Sequence, residues 1–196
     1  MREVVTRQLE ESADIRRMMA ENLPDVIVNA VQIILNAYRA SGKVFLIGNG
    51  GSAADAQHIA AELAGRFRLE RAGLPAIALT TNTSVLTALA NDYGYDSVFS
   101  RQLEALANEK DILIAISTSG RSPNIVKAAE VAHSKGTTVI GLTGKNGGKL
   151  KDMADLAIMV PSDDTARIQE AHITIGHIIC HLVEEELFGK SGSISR

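Results

Sequence analysis

The chain reads as an α/β protein, with a five-stranded parallel sheet covered by helices on both faces. Three observations predict this. Five short apolar runs, at 44–47, 75–79, 111–116, 137–142 and 156–160, alternate with segments of helical length. Runs without polar alternation are those of strands buried on both faces, as in βα units. Two of the runs end in turns rich in Gly, Ser and Thr, at 48–52 and 117–122, and each turn opens a helix. The length, 196 residues, suits one domain with a full hydrophobic core.

The elements follow in order. Val4, Val5, Leu9, Ala13, Ile15 and Met19 form a stripe among charges, predicting a helix over 3–20 that Leu23-Pro24 interrupts. A second helix runs from Pro24 to about Ser41. It is apolar over a wide arc, so it is expected to be covered on two sides, as a subunit interface would do. These helices occupy 1–42; the α/β core and last helix occupy 43–188. Val44–Ile47 is the first strand. Ser52 is expected to cap the helix that runs on towards Gly65. Pro75–Leu79 is the second strand, and a short helix from Val85 to Ala90 ends at Asn91-Asp92-Tyr93-Gly94. Another helix spans Ser97 to Ala107, and Asp111–Ile116 is the third strand. Ser122 then suits an N-cap, with Pro123 at N1, where its missing N–H costs nothing. That helix reaches His133 and stops at Gly136. Thr137–Leu142 and Leu156–Val160 are the last strands, with a short helix near 149–153 between them. A final helix spans Thr165 to Leu187, and the tail over 189–196 is expected to be flexible.

Composition excludes several classes. The net charge is -3 with no block of like charge, so nucleic acid and anionic membrane are not expected partners. Trp is absent and aromatics are 4%, which argues against a base-stacking platform. One cysteine, Cys180, lies in an apolar run and reads as core. A disulfide framework is excluded, and a reducing cytoplasm is the expected location. The charged N-terminus has no apolar core of a signal peptide, and no apolar run approaches a membrane span.

Chemistry concentrates at the two turns and on two helices. Gly48-Asn49-Gly50-Gly51-Ser52 follows a strand and precedes a helix, and free N–H groups at such a terminus attract anions. It is neither a Walker motif nor a GxGxxG fingerprint. Ser117, Thr118, Ser119 and Ser122 put four hydroxyls in six residues after another strand. Ligands of such sheets sit beyond the carboxyl ends of the strands, so both turns belong to one rim. His58 and Glu62 are one helical turn apart, a spacing that serves a metal pair, a base with a helper, or an ordinary ion pair. The last helix carries Gln169, His172, His177 and His181; spacing does not single out one histidine. Asn91-Asp92 fits either a helix end or contacts to a hydroxylated ligand. Glu184-Glu-Glu reads as a solvated helix end.

With these residues assembled, the chain resembles the sugar isomerase (SIS) family, and within it the isomerases of a heptose phosphate. The pieces that carry the resemblance are Gly48-Asn-Gly-Gly-Ser52, Gln57-His58-x-x-x-Glu62-Leu, Ala90-Asn91-Asp92, Ile116-Ser-Thr-Ser-Gly-x-Ser122, Leu142-Thr-Gly-Lys-x-Gly-Gly148 and Arg167-Ile-Gln-Glu-x-His172. The likeness covers nearly the whole chain. It implies a single SIS domain, a flavodoxin-like three-layer αβα sandwich, and a homotetramer with sites at subunit interfaces. It implies that Asn49, Gly50, Gly51, Ser52, Ser117, Thr118, Ser119 and Ser122 hold a sugar phosphate, with Asn91 and Asp92 on the sugar hydroxyls and Gln169 also at the substrate. It implies one zinc ion per subunit on His58, Glu62, Gln169 and His177, and it prefers His177 over His172. Some family members have Asp where this chain has Ala166, so a role for that Asp does not carry over.

The implied reaction converts sedoheptulose 7-phosphate to D-glycero-D-manno-heptose 7-phosphate, the first step towards nucleotide-activated heptose. An aldose–ketose isomerisation through an enediol needs a base at carbon, expected to be Glu62, and a proton shuttle at oxygen, expected to be His177. The alternative is a non-catalytic SIS protein that binds the replication initiator or senses a sugar phosphate. Relatives of that kind lack the acid at the position of Glu62, which this chain has.

Overall fold

The computed structural model describes residues 1–189; the tail expected to be flexible lies, beyond Gly189, outside the described residues. Two N-terminal helices, α1 (Arg2–Asn22) and α2 (Pro24–Arg39), precede an alternation of strands and helices. These are β1 (Val44–Ile47), α3 (Gly51–Ala64), β2 (Ala76–Ala78), α4 (Thr83–Tyr93), α5 (Ser100–Leu106), β3 (Ile112–Ser117), α6 (Pro123–Ser134), β4 (Thr138–Thr143), α7 (Gly148–Met153), β5 (Leu156–Met159) and α8 (Thr165–Phe188). A short 3-10 turn at Tyr95–Ser97 links α4 to α5, where one helix over 97–107 is expected from the sequence.

The five strands form one parallel sheet in the order β2-β1-β3-β4-β5. β1 pairs with β3 in the register Val44↔Ile112 to Ile47↔Ala115. The strand order reverses there, so the chain leaves β1 and β3 towards opposite faces and opens a crevice between their carboxyl ends. That crevice lies between the two Ser/Gly turns.

Each strand feeds two cores because successive side chains point to opposite faces. Val44, Leu46, Ile112, Ile114, Ile116 and Ile140 face α2, α3 and α8. Phe45, Ile47, Leu113, Ala115 and Val139 face α5, α6 and α7. All six residues of β3 are buried, which is why that strand reads as an unbroken run. Cys180 is buried, and burial raises its thiol pKa above the ordinary value.

Three local expectations are corrected. The cap of α3 is Gly50, with φ +54°, and Ser52 lies buried inside the first turn instead of capping it. α4 starts at Thr83, where Asn82 accepts the N–H of Val85, and runs on to Tyr93; Asn91 and Asp92 are therefore helical. The Asn82 cap explains the earlier start, and Gly94, with φ +81° and its N–H on the carbonyl of Ala90, ends the helix only after Tyr93. Glu184 is buried, at 1% exposure, and is not a solvated helix end.

Candidate active site

The first turn is held by side-chain amides. Asn49 Nδ2 donates to Asn124 Oδ1 at 2.9 Å, and Asn124 Nδ2 donates back to Asn49 Oδ1 at 2.9 Å. Asn124 is the second residue of α6, so this reciprocal pair ties the turn after β1 to the helix after β3. The Asn49 side chain is thereby engaged within the fold, leaving mainly backbone N–H groups to face an anion. Tyr95 adds its hydroxyl to Asn49 Oδ1 at 3.4 Å, which brings the segment after α4 beside this turn.

The second turn is organised by its own hydroxyls. Ser117 Oγ accepts the N–H of Gly120 at 3.1 Å and lies 3.3 Å from Ser122 Oγ; Ser119 Oγ accepts the N–H of Arg121 at 3.2 Å. Ser122 is the N-cap of α6, as the sequence predicts, but its hydroxyl makes no capping bond. Gly120 is required here: its φ is +62°, and a Cβ would lie 1.9 Å from the carbonyl oxygen of Gly147.

The side-chain cluster lies between α3 and α8. A Cβ on Gly176 would meet Ile59 Cδ1 at 2.6 Å, so a glycine lets α8 approach α3 closely. The neighbouring His177 then reaches His58, 119 residues away, with the two Nε2 atoms 3.3 Å apart. Glu62 Oε1 stands 3.0 Å from His58 Nε2 and 3.4 Å from His177 Nε2. The ligand atoms of these three residues all fall within 4.8 Å of one another. Glu62 Oε2 is buried and has no hydrogen-bond partner among the described residues by distance and angle.

This donor set fits a zinc ion. Two imidazole nitrogens facing each other beside a carboxylate oxygen converge lone pairs on one spot. Ligands at ordinary Zn–N distances in a tetrahedron stand about 3.3 Å apart, close to the separations of the cluster. Asp55, one turn before His58, also has a buried Oδ2 without a partner among the described residues. Burial pushes its carboxyl above the ordinary value, opposed by His58 and His177.

The remaining expected residues divide. Gln169 packs its amide against Gly51, where a Cβ would meet Nε2 at 2.5 Å, so it borders the first turn. Asn91 and Asp92 are exposed in the last turn of α4, with Asn91 Nδ2 donating to Asp92 Oδ1 at 2.8 Å. His172 is fully buried in the core, its Nε2 3.3 Å from the carbonyl oxygen of Thr143; burial lowers its pKa to about 4. His181 faces Glu185 at 3.4 Å. Sequence reasoning misses Asn124, Asp55 and Phe67, whose ring stacks on His177 with centroids 5.8 Å apart. Asp55 shares a helix face with His58 and Glu62 by spacing, a signal that was available. Nothing local marks Phe67.

Comparison with known proteins supplies the family. A family profile described as SIS domain matches residues 9–144. The phosphoheptose isomerase of Geobacter sp. (strain M21) is 54% identical over 97% of this chain and 99% of its own length. The solved phosphoheptose isomerase of Neisseria gonorrhoeae superposes with a TM-score of 0.89 at 43% identity, over 94% of this chain and 98% of that one. That of Francisella tularensis gives a TM-score of 0.91 at 40% identity, over 93% and 97% of the two chains. With the reversed parallel sheet, the paired turns and the imidazole–carboxylate cluster in place, the chain belongs to the SIS-domain family, among its phosphoheptose isomerases.

Proposed function

We infer that this enzyme isomerises sedoheptulose 7-phosphate to D-glycero-D-manno-heptose 7-phosphate. The observation that carries the reading is the convergence of Glu62 with His58 and His177 beside two anion-binding turns. It occurs in a chain similar over nearly its full length to phosphoheptose isomerases. A binding protein has no need of a carboxylate with a free buried oxygen at that place, so the non-catalytic alternative is not favoured.

The turns at 48–52 and 117–122 bind the phosphate through backbone N–H groups and the hydroxyls of Ser52, Ser117, Thr118, Ser119 and Ser122. Asn91, Asp92 and Gln169 orient the sugar. This remote binding positions C1 and C2 at the cluster. Glu62 removes the proton from carbon and returns it to the neighbouring carbon. Its Oε1 is turned to the imidazoles of His58 and His177. His177 moves the proton between the two oxygens. His58, Glu62 and His177, with Gln169 as fourth ligand, would hold a zinc ion, whose chemistry when bound is Lewis-acid polarisation of the carbonyl.

A homotetramer in the cytoplasm completes the reading. Its support is an apolar groove between α1, α2 and α8, lined by Met19, Pro24, Ile27, Val28, Ile178 and Leu182, in which Val28 is 56% exposed. Among the described residues no single helix is long and apolar enough to cross a membrane. Proton NMR of the zinc-loaded protein with sedoheptulose 7-phosphate tests the activity. The expected result is an anomeric signal matching authentic D-glycero-D-manno-heptose 7-phosphate that disappears after chelation. No new signal from folded protein would overturn the reading in favour of a sugar-phosphate binder.

A further inference from the structure

The burial of Glu184 has a specific architecture around it. Its carboxylate accepts four bonds. Oε1 takes the N–H of Phe67 at 2.9 Å and Nε of Arg71 at 3.0 Å; Oε2 takes the N–H groups of Arg68 at 2.6 Å and Leu69 at 2.9 Å. Both members of the ion pair are 1% exposed. Burial alone would raise the Glu184 carboxyl pKa, but the three N–H groups and the guanidinium outweigh it and hold the group below its ordinary value.

Arg71 carries the restraint onward. Nη2 donates to the carbonyl of Glu62 at 2.9 Å, and Nη1 donates to those of Leu63, Gly65 and Ala72 at 2.8, 3.0 and 3.0 Å. These include the C-terminal carbonyls of α3, which lack intrahelical donors. The turn so held carries Phe67, whose ring lies over the His177 imidazole at an interplanar angle of 20°. Glu184 itself is seven residues after His177 on α8, two turns along nearly the same face. One buried pair thus touches the backbone of Glu62, the turn bearing Phe67 and the helix bearing His177. A buried ion pair is weak evidence for stability, since apolar replacements are often as stable. Its contacts instead converge on the backbone that carries Glu62 and on the turn whose Phe67 ring packs on His177.

We propose that the buried Glu184–Arg71 pair positions the isomerase site by fixing the 65–71 turn, so that Phe67 holds the His177 imidazole against Glu62. The proposal rests on the assignment of Glu62 and His177 above. Glu184, Arg71 and Phe67 act as positioning residues and touch no substrate.

The test uses the full-length protein with Glu184→Gln, Phe67→Leu and Phe67→Tyr. An amide in place of the carboxylate offers one accepting oxygen to donors that now occupy two, so the turn loosens. In Glu184→Gln and Phe67→Leu, kcat for sedoheptulose 7-phosphate is expected to fall on the order of 10–100-fold. KM should stay within about threefold, because the phosphate turns are untouched; Phe67→Tyr should keep near-normal kcat. A second readout is independent of turnover. With histidine labelled at Cε1, the His177 ring resonance of the metal-free protein carries the ring current of Phe67. It should shift in Phe67→Leu and move in the same direction in Glu184→Gln. A Glu184→Gln protein with a lower melting temperature but unchanged kcat and unchanged His177 resonance would reduce the pair to a structural role. If Glu184→Gln does not fold, unaltered kcat and resonance in Phe67→Leu would overturn the proposal equally. Loss of all activity in the wild type would defeat the isomerase assignment, while the resonance would still report on the pair.

Discussion

The two halves of the site are built in opposite ways. The two Ser/Gly turns are contiguous stretches: 117–122 is shaped by hydroxyl bonds within six residues of one another, and 48–52 is tied by one amide pair to Asn124. The imidazole–carboxylate cluster is made of side chains from α3 and α8, and the contact that joins the two helices links residues 119 apart in sequence. The first half draws its groups from contiguous residues, with few ties to distant ones. The second exists only when the helices pack, with Gly176 against Ile59 and the 65–71 turn tied to Glu184. The difference teaches where each half should fail: damage to the turns weakens binding, and damage to the cluster stops the chemistry.

Mutations can break or sharpen that division. The largest effect is expected for Glu62→Gln, with kcat down about 10³-fold or more, in the range for a lost general base, and KM little changed. His177→Ala should follow, with kcat about 10²-fold lower by the same reasoning. Ser119→Ala tests the other half. It should raise KM about tenfold, the scale of one hydrogen bond to a charged group, with kcat nearly intact. Steady-state kinetics separate the cases, and a pure kcat loss in Ser119→Ala would erase the distinction.

The smallest effect on turnover is expected at His172, whose part is in the core. Its folded pKa, about 4, lies below the unfolded value of 6.5. The unfolded chain therefore binds more protons between those values. The neutral, buried histidine adds stability that is complete above about pH 6.5 and is lost as pH falls towards 4, on the order of 3 kcal/mol in all. Urea unfolding from pH 7 to 4.5 should show this slope, flattened in His172→Ala. Turnover of that variant at pH 8 should stay within about threefold of wild type. A loss there as large as that of His177→Ala would contradict the assignment.

What could be read from the sequence follows the same line. The five strands were legible because each is a short apolar run bounded by turn residues, and β3 is buried at every position. Both turns were legible because their residues are adjacent. His58 and Glu62 share a helical turn, so their pairing was legible too. Their meeting with His177 was legible only through the family resemblance: helical spacing leaves several histidines equal, and tertiary packing is what buries His172 while turning His177 to the cluster. Glu184 misled for the same reason. Three consecutive glutamates at a helix end look solvated, and the donors that bury one of them come from residues 67–71. Ser52 failed as a cap because Gly50, with its positive φ, starts the helix two residues earlier.

The central claim is that Glu62 supplies the base while the turns supply the binding. The most direct test pairs two measurements on Glu62→Gln: calorimetric binding of sedoheptulose 7-phosphate, and proton NMR of its conversion at the same protein concentration as wild type. The account predicts affinity within a few-fold of wild type with no aldose signal over the time in which wild type reaches equilibrium. An aldose signal growing at near the wild-type rate would contradict it.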